Sequence, residues 1–132
     1  MSDARTSGWK WRVTKIGGRF SENGTDSYST GETLTNKTWI DGRPIYRKVI
    51  SCGALPNNTT KTVAHGVTYS RITLIDGYAF NPTTTETLQL TNSHPSVVSN
   101  IGLYVTGANI TLATGTDRSA FTETMVILEY TK

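Results

Sequence analysis

Apolar and polar residues alternate with period two along most of this chain, and Gly, Asn, Pro and Asp interrupt the alternation at short intervals. No stretch holds a 3.6-residue period over three turns, so the pattern predicts strands and turns. Trp9-Lys10-Trp11-Arg12-Val13 reads as a strand, closed by Gly17-Gly18. Residues 21–37 are polar and contain glycine, which predicts a long loop or an irregular strand. From Ile45 to Cys52 a strand is expected with apolar residues on both sides, hence partial burial of both. Leu55-Pro56-Asn57-Asn58 signals a turn, and Lys61 to Ala64 a short strand. Tyr69 to Phe80 follows, with Ile72, Leu74, Tyr78 and Phe80 expected on one face and a bulge or tight turn at Asp76-Gly77. After an Asn81–Thr85 loop comes a strand from Glu86 to Thr91 carrying Leu88 and Leu90, then a loop from Ser93 to Asn100. Ile101–Val105 and Asn109–Ala113 read as a hairpin joined by Thr106-Gly107-Ala108, and Thr114 to Ser119 as a turn. Phe121 to Tyr130 is the most continuous apolar run and belongs at the centre of a sheet. Roughly seven to nine short strands imply an all-β protein, a jelly-roll-like β-sandwich.

Length permits one domain that buries a core without covalent staples: the chain has 132 residues. We expect residues 1–20 to form an N-terminal strand or attachment arm and residues 21–132 a single sandwich. Charged residues are only 17% of the chain, and Thr, Ser, Asn and Gly fill the difference, a composition suited to exposed sheet faces. The net charge of +3 is weak, and its local clusters (Lys10, Arg12, Lys15 and Arg19; Arg43, Arg47 and Lys48) lack the density of a nucleic-acid stripe. They are read as solvated strand faces, so no nucleic-acid partner is expected. Cys52 is the single cysteine and is expected to be a buried, inert thiol. No apolar run reaches the length of a membrane helix, and the first residues lack the apolar core of a secretion signal. Synthesis in a cytoplasm without membrane insertion is expected.

The motifs of catalysis are weak. His65 and His94 are far apart with no neighbouring ligand set, so no metal is expected. Cys52, His65 and Asp76 include the residue types of a nucleophilic triad, but nothing in their spacing ties them together. Acids sit mostly at turns (Asp26, Asp41, Asp76, Asp117), where local hydrogen bonding already explains them. A paired-carboxylate hydrolase is therefore not favoured. Gly17-Gly18 is followed by no helical pattern, which excludes a phosphate loop. Neither an enzyme nor a cofactor is expected. Aromatic rings remain as candidate binding groups: Trp9, Trp11, Trp39, Tyr28, Tyr46 and Tyr69 offer flat apolar faces with polar edges. Core or subunit packing is the plainer explanation for most of them.

Four ordered motifs carry a resemblance. Trp39-Ile40-Asp41-Gly42-Arg43-Pro44-Ile45-Tyr46 is followed by Gly53-Ala54-Leu55-Pro56-Asn57, then Val63-Ala64-His65-Gly66, and finally Leu128-Glu129-Tyr130-Thr131-Lys132. From about Tyr28 to Lys132 the chain resembles the C-terminal, fibre-tip type module of tailed-bacteriophage tail-fibre and baseplate proteins. The resemblance implies a sandwich that forms a homotrimer, belongs to a virion, is made in the host cytoplasm and contacts a host-surface glycan or protein. In that family the module usually ends a much longer protein. The alternative expectation is a structural virion protein, such as a head decoration or a fibre or tail adaptor, that binds other virion subunits through the Trp9/Trp11 arm. Trp9, Trp11, Tyr28, Tyr69 and His94 are the candidate ligand-binding residues. Trp39, Asp41, Gly42, Pro44 and Tyr46 are expected to mark the fold, through a turn at Asp41-Gly42 and packing of Trp39 with Tyr46 across a hairpin.

Overall fold

The computed structural model describes residues 24–91 and 97–132. The expected strand at Trp9–Val13, the arm over residues 1–20 and the candidates Trp9, Trp11 and His94 lie outside the described residues. Among the described residues the strands are β1 (Thr33–Thr38), β2 (Pro44–Ser51), β3 (Thr60–Ala64), β4 (Arg71–Phe80), β5 (Thr87–Gln89), β6 (Ile101–Thr106), β7 (Asn109–Thr114) and β8 (Glu123–Thr131). They form two antiparallel sheets, ordered β1-β2-β8-β4-β5 and β3-β7-β6. Ile50, Ala79, Val126, Leu128 and Tyr130 of the larger sheet and Ile101, Ile110 and Leu112 of the smaller one share one buried cluster. The chain is thus an all-β sandwich, five strands packed on three.

β8 sits at the middle of the larger sheet, where its run of apolar residues places it. Val126, Leu128 and Tyr130 point inward and are wholly buried, each contributing about 1.5–3 kcal/mol. The alternate residues Met125, Ile127 and Glu129 face outward, opposite Ser51, Val49 and Arg47 of β2. Both sides of β2 are partly covered, as its pattern predicts.

One expectation needs correction. The register of β4 against β8 shifts between Ile72 and Leu74, so the bulge lies at Thr73 and not at Asp76-Gly77. One extra residue inverts the alternation. Ile72 therefore packs on the core, whereas Leu74, Tyr78 and Phe80 share the outer face. Gly77 is instead a point of close approach: a Cβ there would stand 2.4 Å from the Met125 carbonyl oxygen and 2.8 Å from Leu90 Cδ1. Of the two alternatives for residues 21–37, the irregular strand holds over Thr33–Thr38, with a register shift between Leu34 and Thr38. Thr35, its one buried residue, satisfies its hydroxyl on the Ile45 carbonyl.

The segment 52–59 carries the chain from one sheet to the other. Leu55 and Pro56 are buried beneath it, and Lys61 donates to the carbonyls of Cys52 (2.6 Å) and Ala54 (2.8 Å). Gly53 takes a φ of 71° at this bend, which favours glycine. Cys52 is a buried free thiol; desolvation pushes its pKa up, with Lys61 pulling the other way.

Candidate functional site

The hairpin between β1 and β2 is closed by its own backbone. Trp39 donates to the Arg43 carbonyl at 2.8 Å, Gly42 donates to the Trp39 carbonyl at 2.9 Å, and Gly42 has a φ of 86°. Asp41 accepts the Arg43 amide at 3.0 Å, and Pro44 opens β2. Arg43 reaches on to Ser70 and to the Lys132 carbonyl, tying the tip to the end of β8. The turn chemistry of the motif thus has a local structural account. Tyr46 does not face Trp39 across the hairpin: its cross-strand neighbour is Leu34, and its ring stacks on Tyr130 with centroids 6.2 Å apart. Ile40, at the tip, is 91% exposed.

His65 and Tyr69 form a latch at the seam between the sheets. His65 is buried, its Nε2 lies 2.8 Å from the Gly107 carbonyl, and its Nδ1 accepts the Val67 amide. That arrangement puts the ring proton on Nε2. Tyr69 donates to the same Gly107 carbonyl and meets His65 edge-on. Lys48 donates to the His65 carbonyl at 2.9 Å. The half-buried Tyr69 is committed to this latch and is a poor candidate for an external ligand.

A different cluster forms on the outer face of the larger sheet. Arg47 and Glu129 are direct cross-strand neighbours, with side chains only 5% and 6% exposed. Nη2 and Nε of Arg47 donate to Glu129 Oε2 at 2.8 and 3.0 Å. Lys37, from irregular β1, donates to both carboxylate oxygens at 3.1 and 3.2 Å. Arg47 also donates to the Asp26 carbonyl, and its guanidinium lies 4.5 Å from the centroid of the Tyr28 ring. Tyr28 is nevertheless 63% exposed. With one ring face resting on Arg47, most of that exposure belongs to the opposite face. Two residues before Tyr28, Asp26 accepts at Oδ1 from Asn36 Nδ2 at 3.2 Å, and both side chains are exposed.

This platform was only partly visible in the sequence, which singles out Tyr28 but not its supports. The signal for the rest is partial. Glu129 is the acid that stands between Leu128 and Tyr130 in the final apolar run, whereas Arg47 sits next to Lys48 in a basic cluster that reads as a solvated face, and the structure buries it instead. An acid between apolar neighbours in a strand predicted to be central calls for a cation, without saying which one.

A second polar cluster secures the segment before β1. Tyr130 donates its hydroxyl to Glu32, Lys132 bridges to the same carboxylate at 2.6 Å, and the Lys132 ammonium lies over the Tyr46 ring. Partial burial pushes the Glu32 pKa up, but the bonds from Lys132 and Tyr130 and the attraction of Lys132 and Lys48 prevail, and the carboxyl is held below its ordinary range. Burial first, then the Glu32 bond, raises Tyr130 well above the ordinary tyrosine range, so it remains a donor.

Cys52, His65 and Asp76 are not brought together. Asp76 faces outward opposite Ile127, whereas Cys52 is buried in the core and both nitrogens of His65 are engaged by backbone. No cluster of three or more metal-ligating side chains occurs among the described residues, and no helix there is long and apolar enough to cross a membrane. Comparison with family models, curated proteins and solved structures finds no match to this chain.

Proposed function

We propose that the domain is a non-catalytic recognition module of a tailed-bacteriophage virion, carried on a tail fibre or baseplate as a homotrimer and directed at the host surface. Four ordered motifs support the phage assignment. The observation that carries the recognition role is the Tyr28 platform: a largely exposed ring held by a buried, ion-paired guanidinium. An aromatic side chain that is already immobilised loses little entropy when it meets a partner. Lys37, Arg47 and Glu129 are spent on one another, which suits adhesion better than proton transfer. Trimeric display lets weak single sites act together through effective concentration.

The test is adsorption of the labelled protein to intact candidate host cells, with its mass measured in solution. Saturable binding by a trimer supports the reading. A monomer that binds none of the hosts on which the parent phage grows overturns it. A second reading, a structural virion protein, draws support from the outer face beyond the platform. There Leu74, Tyr78 and Phe80 of β4 line up with Met125 and Ile127 of β8 and Val49 of β2 in a half-exposed apolar strip. Such a strip suits a protein–protein contact. Labelling of the protein at an internal joint of the particle, and not at its distal tips, favours that reading.

A further inference from the structure

The Tyr28 platform carries enough detail to name a ligand class, and the inference rests on the recognition reading given above. We infer that the open face of Tyr28, together with Asp26 and Asn36, forms a binding site for an uncharged pyranoside.

The ring geometry comes first. Arg47 closes one face of Tyr28, so the platform offers a single stacking surface and takes one ring, not a sandwich. A pyranose presents a patch of C–H groups on one side of its ring and hydroxyls around its rim. The C–H patch matches an aromatic face, and the hydroxyls need polar partners beside it. Asp26 and Asn36 supply them. Their side chains are already joined by one hydrogen bond, which fixes the amide and carboxylate relative to each other. That bond uses Asn36 Nδ2 and Asp26 Oδ1; among the described residues Asp26 Oδ2 and Asn36 Oδ1 remain to accept from sugar hydroxyls. Asp26 lies two residues before Tyr28, and one guanidinium holds both, through the Asp26 carbonyl and the Tyr28 ring. The platform is therefore preorganised, and the ordering cost falls on folding and not on binding.

Charge sets the class of sugar. Among the described residues Lys37 and Arg47 both bond the Glu129 carboxylate, and the Asp26 carboxylate, held by the Asn36 amide, brings the count around the ring to two cations and two carboxylates. Among the described residues no net charge attracts an acidic sugar over a neutral one. Binding should accordingly change little with salt, because no net charge is neutralised.

The probes are methyl β-D-galactopyranoside, methyl α-D-glucopyranoside and methyl α-D-mannopyranoside, titrated into the labelled full chain and followed by amide chemical shifts. Saturation transfer identifies which sugar protons touch the protein. The expected result is millimolar binding of at least one probe, with shifts centred on residues 26–28 and 36 and transfer strongest to protons of one ring face. Tyr28→Phe should keep affinity within about threefold, whereas Tyr28→Ala should weaken it about tenfold or more. Both changes fall on an exposed side chain, and unchanged amide dispersion elsewhere verifies the fold. The inference is overturned if none of the three probes shifts these residues, or if Tyr28→Ala binds as tightly as the parent. Cell adsorption separates this failure from failure of the recognition reading. Adsorption that persists in Tyr28→Ala and is not reduced by the sugars keeps host recognition and removes the sugar site. Sugar binding at Tyr28 without adsorption to any host keeps the site and removes host recognition.

Discussion

Removing one member of the Arg47–Glu129 pair should cost far more than removing both. The two side chains are almost wholly buried, and β2 and β8 hold them face to face at the centre of the larger sheet. Glu129→Met leaves a buried guanidinium with no other carboxylate partner among the described residues, which should destabilise the fold by about 4 kcal/mol. Arg47→Met leaves Glu129 with Lys37, a partner about half exposed, so its cost should be smaller, about 3 kcal/mol. The double variant buries two thioether chains in place of two ions and should lie within about 1 kcal/mol of the parent. Equilibrium urea unfolding measures all four proteins. With a slope of about 2 kcal/mol/M, the midpoint of Arg47→Met should fall by roughly 1.5 M, while that of the double variant stays near the parent value. Loss of the Tyr28 contact accompanies Arg47→Met on either background and cancels in the cycle. If the double variant is destabilised by the sum of the single losses to within about 0.5 kcal/mol, the pair does not act as a unit and the reasoning fails.

Thr124 is wholly buried and its hydroxyl has no partner among the described residues. Thr124→Val should therefore stabilise the fold by about 1 kcal/mol, seen as a higher melting temperature, and a lower one refutes the assignment. Gly77→Ala should destabilise by about 2 kcal/mol or more in chemical denaturation, because its Cβ meets backbone in β8 that cannot step aside. The Glu32 carboxyl has a folded pKa below its unfolded value of about 4.5, so its contribution is present above that pH and is lost as pH falls through the folded value. Urea midpoints of the parent and of Glu32→Gln should accordingly converge on acidification from pH 7, and a gap that stays constant contradicts the linkage.

Contrast decided what the sequence revealed. β8 was legible because Val126, Leu128 and Tyr130 are apolar where neighbours are mixed, and the β6–β7 hairpin because Gly107 punctuates two alternating runs. β1 was legible only as one of two alternatives, loop or irregular strand, because threonine serves buried and exposed positions alike and Thr35 is buried without an apolar side chain to announce it. The bulge at Thr73 had no local marker, whereas Asp76-Gly77 displayed one that the chain uses for close packing. Of the platform, Tyr28 was nameable because a large ring in a polar stretch stands out. Its supports were not, since Arg47 and Glu129 are 82 residues apart and only the meeting of β2 with β8 unites them.

The placement of β8 also orders events during synthesis. The strand that bridges β2 and β4 is the last of the described ones to leave the ribosome. Until then the two halves of the larger sheet have no common partner, and each presents a bare pairing edge to other nascent chains. Ribosomes stalled before residue 123 should hold protease-sensitive chains, while those stalled on a flexible linker fused after residue 132 should hold resistant ones.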